Sequence, residues 1–353
     1  MLTIGAASMR AGAIDCSQQS MLTRPIPLGV SGGNINSFFT MHRELFCFSG
    51  TLGSMVQDQS SNQYILSNNH VLADTNKAKP GELIVQPGLV DTSEPCTQTP
   101  SDAVATFSRT VKIKFSGKNT IDAAIAAVDP GDVSPDILNI GPIASSVVTA
   151  TPGMAVQKMG RSTCLTTGTI SAVSVNAKVN YSFTGKKIAK FINQIAISGE
   201  DFSEAGDSGS LIVTQDSCPQ AVGLLFADGE NDGAPLTIAN PISAVLSQLN
   251  VTMVGGCTAG AASNTAQADD LEAGNVGMSK DVVASATAVR DRHEDELMRI
   301  PGAGTGVGIG DQPDQPAIIV YVKRMTPQAQ AAAPKQVEGL PVKLIESGGF
   351  VAY

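Results

Sequence analysis

Residues 64–73 read YILSNNHVLA: an apolar run breaks at two asparagines, and His70 follows at the turn. The same texture extends on both sides, in CFSGTLGSMV (47–56), IVQPGLV (84–90), VKIKF (111–115) and DAAIAAV (122–128). Short apolar or alternating runs punctuated by Gly, Pro, Asn and Asp predict an antiparallel β-barrel or sandwich rather than helices. The pattern continues through GMAVQKMG (153–160), TTGTISAVSVNAKVNYSF (166–183), FINQIAIS (191–198), SLIVTQ (210–215) and AVGLLFADG (221–229).

Residues 1–30 are weakly patterned and read as an arm, and the β-rich domain is expected over 31–256. It should close with a helix in NPISAVLSQLNV (240–251), where Asn240 is the expected cap and Pro241 suits the first turn. Ile242, Val245, Leu246 and Leu249 would form its apolar face. Residues 257–275 are small and polar, as in a linker. Over 276–353 a small α+β unit is expected: a helix with Val282, Ala286, Val289, His293, Leu297 and Ile300 on one face, a glycine-rich run, the strand AIIVYVKR, an Ala-rich helix and the strand VKLIESGG.

The chain has 353 residues, 42% hydrophobic and 16% charged, with a net charge of -9, which is enough apolar material for a sizeable core. No basic stripe points to nucleic acid, and no run approaches the ~20 apolar residues of a membrane helix. The N-terminus lacks the compact apolar core of a secretory signal, so a cytoplasmic location is expected, with secretion left open. The six cysteines form no close-set pair, and free buried thiols are expected rather than a disulfide framework.

The residues that carry chemistry start with Gly206-Asp207-Ser208-Gly209-Ser210. A serine hydroxyl needs an adjacent base to act as a nucleophile, and backbone N–H donors aimed at the developing oxyanion. A glycine two before Ser208 lets the N–H groups of Gly206 and Ser208 point to one spot. Base candidates are few, because the chain has three histidines. His42 and His293 sit among charged residues and read as surface groups, whereas His70 has the strand-to-turn setting. A third member must orient the imidazole, and Asp122 lies in an otherwise apolar segment where an unpaired carboxylate is costly. Asp74, Asp91, Asp102 and Asp129 lie in polar turns.

The order His70, Asp122, Ser208, carried by SNNHVLA, NTIDAAIA and GDSGS, resembles the trypsin/chymotrypsin superfamily of serine proteases. More closely, the motifs over about residues 25 to 252 are similar to bacterial trypsin-like proteases related to the plant Narrow Leaf protease family. The C-terminal segment resembles a small domain that accompanies them. The resemblance implies a mainly β fold, a chymotrypsin-like double β-barrel followed by the α+β domain, with the triad in the cleft. It also implies serine endopeptidase activity on protein or peptide substrates, with no metal or organic cofactor. Gly160-Arg161-Ser162-Thr163 would open the second barrel.

Two departures from that pattern matter. Digestive relatives are activated by a cleavage whose new terminal ammonium pairs with the acid before the serine. Here Arg24-Pro25 is a poor cleavage site, so Asp207 must find another partner or face solvent. At the base of the specificity pocket, where trypsin carries an Asp, the resemblance puts Phe202, next to Ser203. Phe226, Ala227 and Asp228 would form the strand beside the substrate. This favours small or apolar substrate side chains, unless Asp228 points inward and restores a basic preference.

An esterase elbow would need G-x-S-x-G, whereas Ser210 takes the last position, and its histidine should follow the serine. The alternating glycines Gly302, Gly304, Gly306, Gly308 and Gly310 suit one face of a strand better than a phosphate loop. A catalytically silent, protease-like binding module is the alternative from a different class. The unit at 276–353 is a candidate regulatory element that binds a protein partner, positions substrates or restrains the protease.

Overall fold

The computed structural model describes residues 16–129, 131–182, 187–229, 236–258, 278–312 and 314–352. The first fifteen residues of the expected arm and residues 259–275 of the expected linker lie outside the described residues.

The first barrel uses strands β1 (Val30–Asn34), β2 (Gly50–Leu52), β3 (Ser54–Gln57), β4 (Gln63–Ser67), β5 (Leu83–Val85), β6 (Ala103–Thr110) and β7 (Ala124–Val128). β2 and β3 are one run bent at Gly53, pairing with β1 on one side and β4 on the other. Around the rest of the ring β4 pairs with β7, β7 with β6, β6 with β5 and β5 with β1, so the sheet closes on itself and leaves no long edge. Leu52, Met55, Ile65, Leu66, Val104, Phe107 and Ile125 are buried in the core on the two faces of this sheet.

A second ring follows: β8 (Ala155–Gly160), β9 (Cys164–Asn180), β10 (Ile188–Ser198), β11 (Leu211–Thr214), β12 (Ala221–Gly229) and β13 (Leu236–Pro241). Its pairings run β8–β9–β10–β13–β12–β11 and back to β8. Helix α1 (Asn69–Leu72) is the turn after β4, and α2 (Ile242–Leu249) packs where β13 ends, burying Ile242, Val245 and Leu249 with Leu246 half-buried. Asn240 does not cap α2; the flanking residue is Pro241, with no side-chain cap, and Asn240 is drawn to Asp122 instead.

Helix α3 (Lys280–Leu297) is capped by Ser279, whose side chain accepts from the N–H of Val282. Beyond it lie β14 (Gly302–Ile309), β15 (Pro316–Val322), α4 (Pro327–Ala332), β16 (Leu340–Glu346) and β17 (Phe350–Val351). These strands are continuous with the second barrel: β14 pairs with β9, and β17 inserts between β9 and β12. Gly302, Gly304, Gly306 and Gly308 lie in β14, as their spacing predicts, while Gly310 falls just past its end. A Cβ on Gly304 would lie 2.4 Å from the carbonyl oxygen of Asn176, and one on Gly308 2.6 Å from that of Ser171, so β14 approaches β9 more closely than side chains allow.

The cysteines correct the sequence expectation. Cys16–Cys164, Cys47–Cys96 and Cys218–Cys257 are disulfides, with Cα atoms 5.3–5.8 Å apart. Their partners are separated by 148, 49 and 39 residues, so each bridge depends on the fold and none on local spacing.

Candidate active site

His70 leaves β4 on the first turn of α1, where the chain is buried on all sides. Its Nδ1 lies 2.6 Å from Oδ2 of Asp122. Asp122, just before β7, has no exposed surface. Its Oδ1 accepts from the backbone N–H of Asn69 (2.7 Å) and of His70 (3.3 Å), and its Oδ2 also accepts from the hydroxyl of Tyr181 (2.7 Å). Asn240, from the second barrel, clamps the Asp122 backbone, accepting from its N–H at 3.0 Å and donating to its carbonyl at 3.2 Å. A buried carboxylate is thus supplied with donors on both oxygens, the condition for keeping its charge away from water.

The GDSGS turn packs against the first barrel beside the histidine. The N–H of Thr51 donates to the carbonyl of Ser208 at 2.8 Å. A Cβ on Gly50 would lie 2.5 Å from Cγ2 of Val71 and 2.9 Å from the Ser208 carbonyl, so Gly50 fills the gap between the His70 turn and the serine turn. At Gly53 a Cβ would fall 2.0 Å from the carbonyl oxygen of Gly209. Gly206 (φ 103°) and Gly209 (φ 97°) hold left-handed conformations around the serine. The N–H groups of Asp207, Gly209 and Ser210 donate to Glu204, Leu225 and Asp207 carbonyls, while those of Gly206 and Ser208 make no hydrogen bond among the described residues. Nε2 of His70 is buried and has no partner, so no hydrogen bond joins it to Ser208; such contacts often tighten only when substrate binds.

Asp207 finds an internal cation. Its Oδ2 lies 3.4 Å from Nζ of Lys158, both side chains being fully buried. It also accepts from the N–H of Ser162 (2.7 Å) and the hydroxyl of Thr163 (2.7 Å). Burial pulls the Lys158 pKa below the usual lysine value of 10.5, against the pull of Asp207. Residues 160–163 do not open the second barrel, which begins with β8; they form the tight turn from β8 to β9, and that turn supplies these donors.

The expected pocket residues are only partly brought together. Phe202, Phe226 and Ala227 are fully buried: Phe202 beneath the Lys158 ammonium, 5.9 Å from its ring centre, and Phe226 against Phe191 at 4.7 Å. The Phe202 ring therefore belongs to the core and is no floor of an open pocket. Asp228 does turn inward, its Oδ1 accepting from the hydroxyl of Ser203, which also meets the hydroxyl of Thr237. Burial is the main reason its pKa rises from 3.8 to about 7; nearby Asp207 pushes the same way, while the Ser203 bond and Lys158 oppose.

A cavity of about 450 Å³ opens beside His70, with Phe39, Met41 and Phe48 on one wall, Tyr181 on another and Val351 and Ala352 on a third. The β12 edge predicted to lie beside substrate is paired at Asp228 and Gly229 with Val351 and Phe350 of β17. Of the other histidines, His42 is exposed, and His293 is ion-paired to Glu338 at 3.0 Å, which raises its pKa from 6.5.

The solved structures similar to this chain are serine proteases. One is a glutamic acid-specific serine protease described as using a novel histidine triad in substrate binding, 22% identical over 65% of this chain and 100% of its own, with a TM-score of 0.45. Thermobifida fusca Protease A is 18% identical over 64% of this chain and 98% of its own (TM-score 0.41). Cellulomonas bogoriensis chymotrypsin is 18% identical over the same shares, 64% and 98% (TM-score 0.39). No family profile and no curated protein matches the chain. By its own strand pairing the chain is mainly β, with a chymotrypsin-like fold of two closed six-stranded rings.

Three participants lay beyond sequence reasoning. Lys158 had a signal: strand alternation puts it on the face of the buried Val156. Asn240 stood out only as a helix cap. Tyr181, 59 residues from Asp122 along the chain, carried no signal.

Proposed function

We propose that the chain is a serine endopeptidase. The observation that carries this reading is the buried His70–Asp122 pair, its Nε2 unpartnered, packed beside a serine turn with two free N–H donors. Ser208 attacks a peptide carbonyl as His70 takes its proton, and Asp122 holds the imidazole tautomer and stabilises its cation. The N–H groups of Gly206 and Ser208 receive the oxyanion. The acyl-enzyme is then hydrolysed, with His70 again as the base. The substrate would lie as an extended strand along β12, with Asp228 near its side chain, and the buried Lys158 would hold Asp207 without cleavage of the N-terminus. Kinship with the Narrow Leaf-related proteases is part of this reading and rests on the sequence motifs.

A restrained form of the same enzyme accounts for β17, which occupies one end of the β12 edge beside the cavity. In this reading the C-terminal unit regulates access to the site, and a partner that withdraws β17 would relieve the restraint. The three disulfides favour an oxidising compartment over the cytoplasmic expectation.

The test is covalent labelling with a fluorophosphonate, alongside peptide cleavage. Wild type should be labelled and active. Ser208→Ala should lose the label and lower kcat by about 10⁴-fold or more, with KM less affected. Cleavage that survives Ser208→Ala would overturn this mechanism, whereas a folded wild type that neither labels nor cleaves once β17 is loosened would leave the silent binding module as the better reading.

A further inference from the structure

We infer that Tyr181 is a positioning residue of the catalytic array, holding Asp122 from the second barrel so that His70 is presented to Ser208 in one orientation. The inference rests on the protease reading above for its catalytic meaning, but its geometry stands independently.

The hydroxyl of Tyr181 donates to the same Oδ2 of Asp122 that receives Nδ1 of His70, at 2.7 and 2.6 Å. The two donors thus fix both the position and the plane of the carboxylate. Its other oxygen is held by backbone N–H groups of the first barrel alone. Tyr181 is therefore the side chain through which the second barrel, which carries Ser208, grips the carboxylate of a residue from the first. Burial and then the Asp122 charge hold its phenol well above the usual tyrosine value of 10.0, so it remains a donor.

The ring is itself fixed. It stacks on Phe191 (6.1 Å between centres), meets Phe115 edge-on (6.0 Å) and stands edge-on to the His70 imidazole at 5.9 Å. Its backbone N–H donates to the carbonyl of Lys187 at 2.7 Å. A tyrosine wedged this tightly restricts imidazole tilt as well as carboxylate rotation.

The sign of its effect follows from competition at one oxygen. Donation from Tyr181 spreads part of the Oδ2 charge away from His70. Without it, the carboxylate is held less rigidly but presents more charge to the imidazolium. Protonated His70 should then persist to higher pH, and the productive orientation should be populated less. Besides Asp122 and Tyr181, the charged groups lining the cavity with His70 are Asp74, Lys77 and Lys187. None of these is altered by the substitution.

The experiment uses full-length wild type and Tyr181→Phe, which keeps the ring and removes the donor. Two readouts are taken: the pH profile of kcat/KM on a peptide substrate, and NMR titration of the histidine Cε1 protons. The three histidines make His42 and His293 internal controls. The expected result is a kcat lower by about tenfold, a KM within about twofold, and an acid limb displaced to higher pH. The His70 titration midpoint should rise with the limb while the two controls stay put. A His70 midpoint that stays or falls in folded Tyr181→Phe overturns the inference. The NMR readout needs no catalysis, so a wild type that cleaves nothing even with β17 loosened would refute the protease reading, while the His70 midpoint still decides this one. Tyr181→Leu, which removes donor and ring together, should move the midpoint at least as far; no movement there also overturns it.

Discussion

Asp228 carries a buried carboxyl whose pKa is strongly displaced. Its carboxyl is tied to Ser203 and Thr237, and its pKa stands near 7 instead of 3.8. In the folded chain it therefore ionises only as the pH passes about 7, whereas in the unfolded chain it is charged from about pH 4. Folding stability contributed by this group is consequently lost as pH rises through that interval. The charge it gains should favour basic side chains at the cleavage site. Between pH 6 and 8 the kcat/KM ratio for Arg over Ala substrates should climb severalfold in wild type and stay flat in Asp228→Asn, as read from paired fluorogenic peptides. A flat wild-type ratio would remove Asp228 from specificity. The pairing of His70 with Asp122 was legible at this scale because a nucleophilic serine demands a base, histidine is scarce here and the base needs an acid to orient it. The support around it was not, since Lys158, Asn240 and Tyr181 reach the site across strands whose pairing no local pattern encodes.

Among the elements, β17 reaches the cavity beside His70, which its Val351 lines. Two residues long, it bridges β9 and β12, and the N–H of Ala352 donates to the carbonyl of Asn180 at 3.0 Å. Proline lacks that donor and tolerates the extended residue before it. Ala352→Pro should loosen β17 with only a small change in melting temperature. If β17 restrains the enzyme, kcat/KM should rise severalfold; an unchanged or lower rate would show that it does not. Strands and helices were largely readable from periodicity, including the glycine strand β14 and the face of α2. Helix α3 was read less completely. Its apolar face was foreseen, but the fully buried Arg290, paired with Asp291 and Glu294, was not, because arginine at helical spacing reads as solvated. Exposed Val282 shows the opposite error at its first turn.

At the scale of the whole molecule, the C-terminal unit is joined to the second ring by sheet, and three disulfides tie together segments that precede it. Cys16–Cys164 ties the N-terminal segment to the start of β9, next to the turn that holds Asp207. Cys47–Cys96 secures the hairpin of residues 38–47, whose Phe39 and Met41 line the cavity, and Cys218–Cys257 anchors the chain after α2. Bridges closing such long loops are each worth roughly 2–5 kcal/mol. Denatured, unreduced protein should release no thiol to a colorimetric reagent, and six per chain after reduction. Reduction should also lower the melting temperature by ten degrees or more; free thiols before reduction would refute the pairing. The run of short strands made a β-barrel or sandwich legible, while the double barrel came only from the resemblance of the motifs. The bridges were not legible, because they record proximity after folding.

The glycine strand β14 has one more effect. By pairing with β9 over residues 172–177 it covers a stretch of backbone that would otherwise lie bare on the flank of the second barrel. An uncovered strand of that length is a template on which another molecule's strand can add, and stacking of that kind leads to precipitation. The C-terminal unit thus shields that backbone from another chain's strand. A protein cut back to residue 258 would be expected to lose solubility before it revealed anything about catalysis.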